Sequence, residues 1–155
     1  MIHTINDQLK KIGLDLPVPP PPQGNYVPWV ISGNLVFLAG QIALVDGTLR
    51  YAGSVPNQVS LNDAKESARL CAINLLAQLR SACNGELDRV SRILKLGGFV
   101  ACDSSFFEHP MVINGASELF ASVFEEKAAH ARYAVGTTSL PLGASVEVDA
   151  IVEIR

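Results

Sequence analysis

The last eleven residues, SVEVDAIVEIR, alternate in character with a period of two, the signature of a half-buried strand. Val146, Val148, Ala150, Val152 and Ile154 fall on one face and Ser145, Glu147, Asp149, Ile151 and Glu153 on the other. The first set suits packing on helices; the second is polar but interrupted by Ile151, which suits partial cover by another subunit. Upstream, residues 61–83 place Ala64, Ala68, Cys71, Leu75, Leu76 and Leu79 at helical spacing, with Ser60 and Asp63 as the capping signal and Asn84-Gly85 as the stop. Residues 92–101 (RILKLGGFVA) read as a strand, and Pro110 opens a second helix over MVINGASELFASVFEE. Residues 131–140 are extended again and end at the Pro141-Leu142-Gly143 turn. Before the long helix, YVPWVIS and LVFLAGQIAL read as antiparallel strands divided by a Ser32-Gly33-Asn34 turn, and Val45-Asp46-Gly47 marks the next turn. Thr4 caps a short helix to about Gly13, and PVPPPPQG then forbids helix, because proline lacks the backbone donor and restricts the residue before it.

Strands, helix, strand, helix and strands in 155 residues predict one α+β domain with a single core. Residues 1–23 form a helix and stiff connector, and residues 24–155 form the domain proper. Apolar residues make up 48% and charged residues only 17%, below the usual quarter, which points to surface covered by other subunits. A net charge of −3 with no Lys/Arg cluster removes the electrostatic basis for binding nucleic acid or an anionic membrane. No apolar run approaches the roughly 20 residues of a membrane span. Three cysteines without CxxC pairing, behind a polar N-terminus, fit a reducing cytoplasm. His3, His109 and His130 lack metal-site spacing, so no metal and no cofactor is expected.

The stretch 130–136 (HARYAVG), followed by Leu140-Pro141-Leu142-Gly143-Ala144 and residues 146–151 (VEVDAI), resembles the C-terminal signature of the RidA/YjgF family. Leu38-Ala39-Gly40-Gln41 is similar to that family's strand ending in Ser-Gly-Gln. Asn114 in the second helix and Tyr26 near the N-terminus stand at family positions too, so the resemblance runs from about Gly24 to the C-terminus. It implies a chorismate-mutase-like fold, with two helices on one face of a mixed or antiparallel sheet. It also implies a homotrimer with clefts between subunits, and hydrolysis of 2-imino acids to 2-keto acids and ammonia. Three positions depart from the pattern: Ala39 for a frequent serine, Ala134 for a frequent cysteine, and His130 for a frequent proline.

The side chains suit that chemistry. A 2-imino acid carries a carboxylate that a planar guanidinium grips through two parallel hydrogen bonds, which is the role of Arg132. Hydrolysis needs a group to move protons between water and the imine; a partly buried carboxyl with a raised pKa does this, and Glu147 is the candidate. Gly40 and Asn114 are expected to line the substrate site, with Ala134 beside them and Tyr26 closing it at the rim. On pattern alone Asp149 and Glu153 compete with Glu147, since all three share a face, and the register of the resemblance selects Glu147. Two functions follow: a cofactor-free imine deaminase, or a trimer that uses Arg132 to bind a small carboxylate without turning it over. A ribonuclease reading lacks a basic groove and a histidine pair.

Overall fold

The computed structural model describes residues 4–155, so His3 lies outside the described residues. Helix α1 (Ile5–Lys11) begins in a reciprocal cap: Thr4 Oγ1 accepts from the Asp7 N–H at 3.2 Å, and the Asp7 carboxylate accepts from the Thr4 N–H at 3.1 Å. Ile5 and Leu9 on its inner face are buried in the same apolar core as the rest of the chain. The connector that follows has carbonyls with no ladder to join, and α2 (Leu61–Ala82) supplies them with donors. Gln78 Nε2 donates to Pro20 O at 2.8 Å and Arg80 Nη2 to Leu16 O at 3.2 Å.

Seven strands follow. The five longer ones, β1 (Trp29–Ser32), β2 (Leu35–Gln41), β5 (Val90–Ala101), β6 (Ala131–Thr137) and β7 (Val146–Ile154), make one sheet in the order β1-β2-β7-β5-β6. Every neighbouring pair is antiparallel except β5 and β6, which run parallel and are joined by α3 (His109–Phe124). The sheet is therefore mixed. The run read as one extended stretch, residues 35–44, divides: β2 ends at Gln41, and β3 (Leu44–Val45) pairs with β4 (Thr48–Leu49) as a separate hairpin. Asn74, buried on α2, explains the break, because its Nδ2 donates to both Ile42 O and Leu44 O at 3.0 Å and holds the chain in a corner.

Both long helices cover one face of the sheet. Ser60 caps α2 by accepting from the Asp63 N–H at 3.1 Å, and the predicted stripe from Ala64 to Leu79 is wholly buried. Helix α3 approaches closely because two glycines make room: a Cβ on Gly98 would strike Ile113, and one on Gly115 would strike the Lys65 carbonyl of α2. Along β7 the alternation holds from Val146 onward, with the even positions buried. Ser145 departs from it. It precedes the strand, is fully buried, and donates to Ser67 Oγ of α2 at 3.1 Å, so the pleat that sorts the other side chains does not govern it.

The opposite face of the sheet has no helix among the described residues. It carries Val30, Phe37, Phe99, Tyr133, Val135 and Ile151 around the acidic pair Glu147 and Asp149, and Val30, Phe37 and Val135 are exposed. No helix among the described residues is long and apolar enough to cross a membrane.

Candidate functional site

Arg132 lies on the edge strand β6, opposite Leu96, and shares its helix-facing side. There α3 receives the guanidinium. Nη1 donates to Asn114 Oδ1 at 2.9 Å and to Ser117 Oγ at 3.1 Å, and Nη2 donates to Pro110 O at 3.3 Å. Every one of these acceptors is neutral, and no carboxylate among the described residues forms an ion pair with Arg132. A guanidinium has five N–H donors, so about two remain, the number a bidentate carboxylate requires. Ala134 follows on the same side of β6, opposite Gly98, partly buried against the core.

Glu147 stands on the other face. Its partner across β5 is Phe99, three positions along from Leu96, so the pleat turns it away from Arg132 and onto the side without helices. Its carboxyl sits against Gly40, where any Cβ would collide with it. The β2–β7 register slips between Leu38 and Gln41, a bulge that carries Ala39 and Gly40 over Glu147. A cavity of about 300 Å³ opens here, walled by Glu147, Gly40, Tyr26, Pro20, Pro21 and Pro141. Tyr26 is half-exposed at its rim, and its hydroxyl accepts from the Gln23 N–H at 3.3 Å. Half-burial pushes the Glu147 carboxyl above the ordinary carboxylate range, and the neighbouring Asp149 charge pushes it further.

The other two acids of this face are engaged. Asp149 is also raised by burial, but the Gly97 N–H, the Tyr133 hydroxyl and Lys95 pull it back down. Glu153 accepts from Asn34 Nδ2 at 3.0 Å. The Glu147 carboxyl has no hydrogen-bond donor among the described residues, which leaves it the acid of this face with its proton unassigned.

Residues 6–154 match the model of the family described as "YjgF/chorismate_mutase-like, putative endoribonuclease". The chain belongs to the RidA/YjgF family. The match begins inside α1 and includes the proline connector. Atu1372 from Agrobacterium tumefaciens superposes with a TM-score of 0.91 at 48% identity, over 97% of this chain and 92% of that one. Protein TCP17 of Trypanosoma cruzi is 42% identical over 148 residues, 95% of this chain and 92% of its own length. The 2-iminobutanoate/2-iminopropanoate deaminase of Dermatophagoides farinae is 28% identical over 142 residues, 92% and 95% of the two chains.

Within this family member, then, the candidate residues form two groups. Arg132, Asn114 and Ala134 gather on the helix side of β6, and Glu147, Gly40 and Tyr26 gather on the open side of β7 and β2. One chain does not join them. Sequence reasoning missed Ser117, which shares the face of Asn114 three residues later, and the contact of His130 Nε2 with Ser117 Oγ at 2.9 Å. The i, i+3 spacing on α3 and the i, i+2 spacing of His130 and Arg132 were the available signals.

Proposed function

We propose that this protein hydrolyses reactive 2-imino acids to 2-keto acids and ammonia, at a cleft formed when Arg132 of one copy faces Glu147 of another in a homotrimer. The observation that carries this reading is the state of Arg132: neutral acceptors fix it, no acid among the described residues pairs with it, and two N–H groups are left over. A half-buried cation left in that condition suits an incoming carboxylate. The likeness to a 2-iminobutanoate/2-iminopropanoate deaminase supplies the substrate class. The bare face of the sheet supports subunit contact, since exposed Val30, Phe37 and Val135 form an apolar surface around the Glu147 side of the site.

The chemistry follows from the two groups. Arg132 binds the substrate carboxylate and fixes the orientation of the imine carbon. A water adds to that carbon, its oxygen forming the new C–O bond while the C=N double bond becomes single and nitrogen takes a proton. Glu147 moves the protons: as carboxylate it takes one from the attacking water, and as carboxylic acid it returns it to nitrogen. In the carbinolamine so formed, Glu147 takes the hydroxyl proton and passes it to the amine; the C–N bond then breaks, the C=O bond forms, and ammonia leaves. A carboxyl raised above its usual range by burial and by Asp149 keeps its proton more readily than a free one, which favours this alternation.

The test is ammonia release from 2-iminobutanoate generated in place, measured above its spontaneous hydrolysis. Wild type accelerates it. Arg132→Ala lowers kcat/KM by about 100-fold through loss of the carboxylate contacts, and Glu147→Gln lowers kcat by roughly 10²–10⁴-fold. Binding of 2-oxobutanoate without any acceleration of ammonia release would select the non-catalytic carboxylate binder instead.

A further inference from the structure

We infer that Ser117 and His130 are positioning residues for Arg132, acting as one hydrogen-bonded chain that sets the direction of its free N–H edge. The inference rests on the reading of Arg132 as the carboxylate grip, and it concerns two side chains that do not touch the substrate in that reading.

With a neutral imidazole at His130, counting protons fixes the direction of every bond in the chain. The Ala128 carbonyl only accepts, so His130 Nδ1, which contacts it, carries a hydrogen. Arg132 Nη1 only donates, so Ser117 Oγ accepts from it at 3.1 Å. The single proton of Ser117 is then free to point at His130 Nε2, 2.9 Å away, which receives it on its lone pair. The result runs one way: Arg132 N–H to Ser117 Oγ, Ser117 O–H to His130 Nε2, and His130 Nδ1–H to the Ala128 carbonyl. A neutral imidazole in the Nδ1–H form satisfies every member, and it keeps a second positive charge from standing one serine away from the guanidinium.

The chain matters because of where Arg132 lies. β6 is the edge strand, so the backbone beneath Arg132 is braced on one side only, by β5. Asn114 holds one hydrogen of Nη1 and Ser117 the other; with Ser117 gone, Nη1 keeps only Asn114 and the guanidinium has just that bond and the longer one from Nη2 to Pro110 O. Ala128 is buried and His130 partly so, which gives the far end of the chain a fixed anchor. The Asn114 and Pro110 bonds make Arg132 present; the Ser117–His130 arm makes it aligned.

The experiment is calorimetric binding of 2-oxobutanoate, the product-class probe, together with steady-state kinetics on 2-iminobutanoate. Ser117→Ala and His130→Phe each weaken 2-oxobutanoate binding and raise KM by about tenfold, with kcat changed less than about threefold, because carboxylate contacts act equally in ground and transition states. Ser117→Thr and His130→Asn, which keep a hydroxyl and an acceptor respectively, recover to within about threefold of wild type. The double variant Ser117→Ala with His130→Phe costs no more than either single one, as members of one chain require. Nitrogen-15 NMR of the wild-type imidazole shows Nδ1 protonated and Nε2 bare.

Single variants that bind like wild type while Arg132→Ala does not bind would overturn the positioning role and leave the carboxylate grip standing. So would additive losses, or an imidazole protonated at Nε2. Binding of 2-oxobutanoate that is indifferent to Arg132→Ala would overturn the grip itself, and the positioning role with it.

Discussion

Glu147 is held where its charged form is disfavoured, and this ties its chemistry to stability. Its carboxyl titrates above the value of 4.5 that an unfolded chain gives it, first because burial strips water from the charge and then because Asp149 repels it. The folded chain therefore binds its proton more tightly than the unfolded chain. The stabilisation from that proton is complete below about pH 4.5 and is lost as pH rises through the folded value. Glu147→Gln carries no charge to desolvate, so it melts at a higher temperature than wild type at pH 7, and the difference closes as pH falls below 4.5. Thermal melts of the two proteins across that range check the sign; a variant less stable than wild type at pH 7 would contradict it. Loss of activity with gain of stability is the pattern of a residue kept for function.

Among the elements, the pattern of apolar positions was enough to find α2, α3 and β7, because each buries one face continuously and its period reports that face. What depends on a distant partner was not legible. The bulge at Ala39 and Gly40 exists because β7 brings Glu147 beneath it, Ser145 turns inward because Ser67 waits there, and β2 stops because Asn74 takes the next carbonyls. The candidate site divided the same way. The family signature named Arg132, Glu147 and Asn114 and set His130 beside them, whereas the contacts of Ser117 with Arg132 and His130 emerge only once α3 and β6 are side by side. The packing of α3 is itself testable. Gly115→Ala drives a methyl group into the Lys65 carbonyl, which belongs to rigid helix backbone and cannot swing aside. Denaturant titration should show a loss of about 1–3 kcal/mol. Because α3 also carries Asn114, Ser117 and the Pro110 carbonyl, KM should rise with it.

At the scale of the whole molecule the separation of the two groups is the decisive feature. Arg132 faces the helices and Glu147 faces away from them, and the five-stranded sheet stands between. A reaction that needs both therefore needs two copies, and the proposed function has them meet on the bare apolar face. The most direct test is complementation. Arg132→Ala and Glu147→Gln chains, each inactive alone, are unfolded together in equal amounts and refolded as a mixture, with wild type treated in parallel. A site built from Arg132 of one copy and Glu147 of the next is intact wherever the right pair adjoins. Random assembly should then return about a quarter of wild-type ammonia release from 2-iminobutanoate. A mixture as inactive as its components, while refolded wild type recovers, would contradict a site shared between copies.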